Sequence, residues 1–406
     1  MLQFIRQNFR WLLGGFVLTF FSSFGQTYFI AASIGEWQGQ FGLSHGEIGR
    51  LYMLATLTSA ISLPWVGKLV DVVSEPRVLL IVIPMLALAT VLAAFAWSVF
   101  SLFLAIYLLR LFGQGMMTHT ALTATGRWFS NARGRAVSLV VLGHQGGEVT
   151  LLIGFATMTT WVGYRSSWMS AGLVLLLVAL PLALWAYAAP RQPSQLTDEQ
   201  SDQRLEVRNW TRGEVVRDPL FWILLTGVLA PAFIGTTIFY HQDYFATLFE
   251  WPDNHFAKSI QLMAVTTVVV ALLSGMLIDR WGAFRMLPVF LVPLSGACFA
   301  MSSVGGNALF FVMLLLGISY GLSSTLFGAL WPETYGTEHL GAIRSVTVSA
   351  AVLSTAAGPG LTGTLIDFGI PLPQQMQALG IYCVVAASAM LLARGVIGRR
   401  RLRQSA

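Results

Sequence analysis

Two charged residues lie where charge is expensive. Arg110 comes about eleven residues after the start of an apolar run near 99, and Glu148 about thirteen after the start of another near 135. At 1.5 Å per residue Arg110 is roughly 16 Å deep, near the middle of a ~30 Å hydrocarbon layer. A charge at that depth costs several kcal/mol unless it is paired or hydrated, so such residues are candidates for chemistry. Glu148 can hold and release a proton, and burial and a nearby guanidinium act on a carboxyl in opposite senses. Arg110 can hold an anion, with Glu148 taking a proton when Arg110 is diverted. A static ion pair between neighbouring helices is the structural alternative. His144 and Gln145 stand four and three residues before Glu148, on the same helical face. His144 there can relay a proton or serve as an interhelical hydrogen bond.

Such residues need apolar helices around them, and the composition supplies them. Of 406 residues, 42 are charged (24 basic plus 18 acidic, 10%), and 55% are hydrophobic. Mean hydropathy is +0.69. Soluble domains carry about 25% charged residues. The composition therefore excludes a soluble enzyme, a nucleic-acid reader and a disordered scaffold. The apolar runs are continuous and lack the two-residue alternation of a membrane barrel. The chain reads as an all-α polytopic membrane protein with twelve transmembrane helices in two six-helix bundles. The expected spans are α1 11–35, α2 46–70, α3 77–97, α4 99–124, α5 135–160, α6 166–188, α7 219–246, α8 257–279, α9 284–304, α10 306–331, α11 342–367 and α12 376–397. Residues 1–190 and 218–406 form the bundles, and the polar stretch 191–217 is their linker. The run after Arg6 and Arg10 is long enough to span, so it reads as an uncleaved first helix.

Basic residues set the orientation. With the N-terminus in the cytoplasm, all 24 except Arg50, Arg110, Arg165 and Lys258 fall inside or at the inner boundary. Both termini are then cytoplasmic, in a plasma or bacterial inner membrane, and the net charge of +6 reflects topology rather than nucleic-acid binding. The sequon Asn209-Trp210-Thr211 would face the cytoplasm. Cys298 and Cys383 lie in apolar helices, with neither a disulfide framework nor metal-ligand spacing. No cofactor motif is present, and Gly317-Ile-Ser319-Tyr-Gly321 lacks the strand–turn–helix setting of a nucleophile elbow. An intramembrane enzyme would need a Ser–His or metal constellation at one depth, which the sequence does not offer.

The chain repeats itself. Gly67 and Asp71 close α2, with Arg77 six residues on. Gly275, Asp279, Arg280 and Gly282 close α8, with Arg285 six residues after the aspartate. The glycine and the aspartate both recur at an offset of 208, the mark of a duplicated six-helix unit. This motif resembles the G-x-x-x-D-R-x-G-R loop of the major facilitator superfamily; the first copy has Val72 in place of the arginine. Arg110-Leu-Phe-Gly113-Gln114-Gly115 resembles the family's α4 motif.

Within the superfamily, three segments are similar to the monocarboxylate and oxalate–formate transporter group. These are Arg127-Trp128-Phe129 with Arg133-Gly134-Arg135-Ala136, the stretch Arg217-Asp218-Pro219 to Phe221-Trp222, and Pro332-Glu333 through Arg344-Ser345. Some members of the group place a basic residue midway along α8 or α11; here Lys258 is at the outer mouth of α8 and Arg344 at the inner end of α11. The resemblance implies alternating access, with Gly67, Asp71, Arg77, Gly275, Asp279, Arg280 and Arg285 in gating.

Ser22 and Gln26 belong to a polar stripe on α1 with Thr19, Ser23 and Ser33. With Gln114, Tyr240, Tyr320 and Ser323 they are candidate cavity-lining residues. Thr236, Thr237, His241 and Asp243 accompany Tyr240 on α7, and Ser319 and Ser324 accompany Tyr320 on α10. Gly143 and Gly147, and the stretch Gly358-Pro359-Gly360 with Gly363, mark close helix packing. The expected activity is proton-coupled symport of a small, monocarboxylate-like anion by a monomer in the lipid bilayer. Proton-antiport efflux of a hydrophobic compound is the runner-up.

Overall fold

The computed structural model describes residues 2–43, 45–129, 132–189, 208–251, 255–303 and 308–404. The linker arginines 191 and 204 lie outside them, as do the side chains of Asp243 and of arginines 399, 400, 401 and 403. All regular structure among the described residues is helical. Ten of the described helices are long and apolar enough to cross a membrane. Their many lipid-suited exposed side chains, Leu177, Trp161 and Leu392 among them, are workable because a helix satisfies its backbone internally. The other two expected spans, α1 and α5, fall outside that set. α1 is helical over Leu2–Phe21, turns as a 3-10 helix over Ser22–Gly25, and resumes as short helices at Thr27–Ala31 and Ile34–Phe41. α5 and α6 run together as Arg133–Val174, broken only at Gly163, whose φ of 80° is a conformation that a side chain disfavours.

The rest follows the hydropathy closely. α2 is His45–Val66 followed by Leu69–Val72, α3 is Glu75–Ala94, and α4 is Val99–Leu108 continuing to Trp128. α7 is Pro219–Tyr240, α8 His255–Trp281, α9 Leu291–Ser303, α10 Ala308–Tyr335, α11 Leu340–Asp367 and α12 Leu372–Gln404. The chain forms two compact units. One holds Met1–Phe129, Leu139–Pro193 and Leu340–Ser349. The other holds Ser130–Ser138, Ser194–His339 and Ala350–Ala406. The first turns of α5 and α11 thus each belong to a different unit from the rest of their helix.

In the first unit, Phe29, Phe155 and Trp168 form an aromatic cluster with centroids 4.7–5.5 Å apart, and the Trp168 indole donates to Ser33 at 2.9 Å. α1 and α5 cross at backbone distance. A Cβ on Gly143 would meet Thr19 and the Phe16 carbonyl, and one on Gly147 would meet Ser23 and the Phe20 carbonyl. Thr19 bridges the same crossing by donating to the Val140 carbonyl at 2.6 Å. The second unit repeats this arrangement between α7 and α11. There a Cβ on Gly358 would sit 2.8 Å from the Phe233 carbonyl, and Ser354 donates to the Leu229 carbonyl at 3.2 Å. Small residues with hydroxyl partners are the usual means of tight helix contact in lipid.

Candidate functional site: Arg110 at the break in α1

Two backbone irregularities meet in the first unit. α1 stops being α-helical at Ser22–Gly25, and Gln26 is extended (φ −81°, ψ 155°). α4 widens to a π-helix over Leu109–Met117. Serine–glycine pairs and π-turns are common causes of such departures, and π-turns cluster at functional sites. The two segments touch through glycines: a Cβ on Gly113 would lie 2.6 Å from Gly25 Cα, and one on Gly25 would lie 2.7 Å from Gly113 Cα.

The break frees a carbonyl. In a continuous helix the Phe29 amide would bond Gly25; here it bonds Gln26 at 3.2 Å. Arg110 fills the gap. It is 2% exposed, and its Nη1 donates to the Gly25 carbonyl at 3.3 Å and to the Thr27 hydroxyl at 3.1 Å. Its guanidinium lies 5.6 Å from the centre of the Tyr52 ring, and the Tyr52 hydroxyl donates to Thr27 at 2.8 Å. Nε of Arg110 is buried without a partner.

The direct pair with Glu148 is not formed: among the described residues no ion pair joins them. The reason is geometric, since Arg110 turns to the oxygens of broken α1 while Glu148 is exposed on α5. α1 joins the two sides instead. His144 Nδ1 is 3.3 Å from the Ser22 hydroxyl, which donates to the Thr19 carbonyl at 2.7 Å, and Ser22 lies three residues before Gly25. Gln114 and Gln145 each hold a buried amide oxygen without a partner. Gln26 is half-buried at the break itself. Arg110, His144, Ser22, Gln26 and Gln114 are therefore all borne on or around one discontinuity.

The α7–α10 candidates lie in the other unit. The Tyr320 hydroxyl donates to the Pro231 carbonyl at 3.1 Å, and its ring end occupies the space over Gly235. Ser323 is buried and donates to the Tyr320 carbonyl at 3.3 Å. The Tyr320 bond ties α10 to α7, whereas the Ser323 bond stays within α10. Tyr240 is 71% exposed, its ring against His241. Ser319 of the G-x-S-x-G match donates to the Phe290 carbonyl at 2.8 Å, again a helix tie.

The motif aspartates cap helices. Within the first unit, Asp71 accepts from the Gly341 and Ala342 amides of α11 at 2.7 and 2.6 Å and pairs with Arg127. Within the second, Asp279 accepts from the Gly134 amide of α5 at 2.7 Å and from Arg135 Nε at 2.6 Å. A carboxylate at a helix start satisfies amides that lack an intrahelical acceptor and complements the helix dipole. Gly67 and Gly275 make room: a Cβ on Gly67 would meet Leu63 O at 2.8 Å, and one on Gly275 would meet Gly134 O at 2.8 Å. Arg77, Arg280 and Arg285 are exposed and form no ion pair among the described residues; Arg285 lies over Phe284. The aspartates' cationic partners are Arg127, in the last turn of α4, and Arg135, in the first turn of α5.

Sequence reasoning passed over Thr27, Tyr52 and His119. Thr27 lies just off the α1 stripe, and only the Ser-Ser-Phe-Gly break could have signalled it. His119 is fully buried with Nε2 3.1 Å from the Gly67 carbonyl, beneath the motif glycine.

Comparison with known proteins places these features in context. A family model described as Major Facilitator Superfamily matches residues 15–359. A curated relative, the oxalate:formate antiporter of Oxalobacter formigenes, is 23% identical over 352 residues, covering 81% of this chain and 78% of its own. Two structures share the fold. A point variant of the E. coli fucose:proton symporter FucP has a TM-score of 0.71 at 12% identity, covering 94% of this chain and 97% of its own. FucP in the outward conformation has a TM-score of 0.70 at 14% identity, with the same coverage.

Proposed function

The chain belongs to the major facilitator superfamily, an integral-membrane family of secondary transporters rather than enzymes, and from that premise we propose that it carries a small, monocarboxylate-like organic anion by proton symport. In this reading the bundles 1–190 and 218–406, joined by 191–217, alternate access to the anion, and both termini are cytoplasmic. One observation carries it: Arg110 is buried, and among the described residues its hydrogen-bond partners are neutral oxygens. A guanidinium in a low-dielectric site without a counter-ion is costly, and a small anion supplies what is missing. The curated relative transports oxalate and formate by its name, which supports an anionic cargo. Glu148 is the proton carrier, and His144 and Ser22 connect its helix to the break in α1 that Arg110 holds.

Anion exchange is the second reading. The lack of an acidic partner for Arg110 among the described residues favours it, because an empty carrier would have to reorient with a bare cation, and the relative is an antiporter by name. Uptake of radiolabelled formate, oxalate, lactate and pyruvate into proteoliposomes separates the two. Symport predicts that an inside-alkaline gradient drives accumulation and that Glu148→Gln abolishes this drive. Exchange predicts uptake only into vesicles preloaded with a counter-anion, indifferent to the gradient. Arg110→Gln is expected to raise the half-saturating concentration at least tenfold; unchanged affinity would place the anion elsewhere.

A further inference from the structure

A threonine hydroxyl has two acceptor lone pairs and one proton to give. At Thr27 both lone pairs are taken, one by Arg110 Nη1 at 3.1 Å and the other by the Tyr52 hydroxyl at 2.8 Å. Neither neighbour can take the Thr27 proton in return. A guanidinium has no acceptor, and Tyr52 uses its own proton on Thr27. Thr27 donates to no other described residue, and its side chain is exposed. Arg110 also has unspent donors, since Nε is buried without a partner and Nη2 bonds no described residue. Thr27 and Arg110 thus both hold unspent donors at the break in α1.

We propose that Thr27 is a substrate-binding residue whose hydroxyl, its lone pairs saturated, donates to a carboxylate oxygen of the anion held by Arg110, and that Tyr52 is the positioning residue that keeps Thr27 in the donor role. This rests on the reading that Arg110 meets the substrate. Between Thr27 and Arg110 an anion meets two donors, which favours deprotonated carboxylates. An isosteric carboxamide replaces one accepting oxygen with an NH2 group that faces another donor, and it is rejected. Bonds with one ionised partner are the stronger ones, so the hydroxyl's contribution is large enough to measure.

The test uses the full-length protein in proteoliposomes and whichever of formate, oxalate, lactate or pyruvate is taken up best. Thr27→Val keeps the shape and is expected to raise the half-saturating concentration about tenfold, with the maximal rate within about twofold. Thr27→Ser restores affinity to within about threefold. Tyr52→Phe keeps the ring over Arg110 and gives a smaller loss than Thr27→Val. The matching carboxamide competes at least tenfold more weakly against the parent protein, and Thr27→Val narrows that gap. A second measurement does not depend on the valine variant folding. In Thr27→Cys, with the native Cys298 and Cys383 buried, the same carboxylate at saturation slows maleimide labelling at least fivefold. Unchanged affinity in Thr27→Val alongside a loss in Arg110→Gln overturns the Thr27 assignment and leaves the anion reading standing. So does an equal loss in Thr27→Val and Thr27→Ser, or labelling indifferent to the carboxylate. No loss in Arg110→Gln, or no uptake of any of the four, overturns both.

Discussion

Replacing Asp71 with Asn should loosen the start of α11 by an amount that can be worked out. Asp71 uses both carboxylate oxygens, Oδ1 on the Gly341 amide at 2.7 Å and Oδ2 on the Ala342 amide at 2.6 Å, while also pairing with Arg127. Its side chain is 9% exposed, so water cannot take over these roles. Asparagine keeps one acceptor and turns an NH2 toward a donor, either a backbone amide or Arg127. One charge-assisted bond is lost, worth about 1.5–3 kcal/mol, and a buried donor is left unsatisfied. A loss of about 2–3 kcal/mol speeds exchange through local opening roughly 30- to 150-fold at 1.4 kcal/mol per decade. Hydrogen exchange read by mass spectrometry on peptides covering 338–348 measures it directly. Arg127→Gln, which removes the ion pair and spares both caps, should give a clearly smaller effect, and the double variant should be less than additive because the residues share a network. Unchanged exchange at 338–348 in Asp71→Asn would refute the view that this carboxylate, rather than packing alone, holds the turn.

Further consequences are equally concrete. Gly147→Val puts a branched side chain onto Ser23 and the Phe20 carbonyl; overpacking of this kind costs about 1–3 kcal/mol, and a lowered melting temperature in detergent should show it, whereas Gly154→Val, where an added Cβ meets nothing within 4 Å, should not. The turn at 211–217 should fray in acid. Hydrogen bonds from the Thr211 backbone amide and hydroxyl, and then Arg208, hold the Glu214 carboxyl below its ordinary range. A lowered folded-state value means that the cap's contribution is complete above the ordinary carboxylate range and is lost as pH falls through the lowered value. Exchange at 211–217, corrected for intrinsic rates, should therefore rise only in acid, and Glu214→Gln should remove that dependence.

The sequence made the helices legible because hydropathy is a sum over about twenty residues and tolerates local error. The 208-residue offset exposed the duplicated aspartates for a similar reason: Asp71 and Asp279 do the same work on different helices, so their spacing survives. What it hid were departures from regular geometry. Arg110 and Glu148 looked like natural partners because both lie deep in neighbouring apolar runs, and depth along a straight helix was the only coordinate to hand. The kink at Ser22–Gly25 and the π-turn at Leu109–Met117 change the direction in which Arg110 points. Neither leaves a mark on hydropathy. Tyr320 shows a different ambiguity: hydroxyls at helical spacing are equally the signature of a lined cavity and of helix-to-helix bonds, and Tyr320 makes one such bond to the Pro231 carbonyl.

The two irregularities make physical sense only together. A broken helix in lipid strands a carbonyl, and a buried guanidinium needs an oxygen; each alone costs several kcal/mol. At Gly25 and Arg110 one deficit partly answers the other, and the glycine contact with Gly113 lets the backbones come close enough for it to do so. The compensation is incomplete, because a carbonyl and a hydroxyl are dipoles facing a full charge. A region left short of one negative charge, by a break that a regular α1 would not need, favours an anion that arrives and leaves over any fixed internal partner. An internal carboxylate introduced there should therefore impair function even as it stabilises the fold. Thr27→Asp is expected to pair with Arg110, raise the melting temperature and abolish carboxylate uptake. A variant that melts higher yet transports normally would mean that the charge on Arg110 is not what the cargo meets.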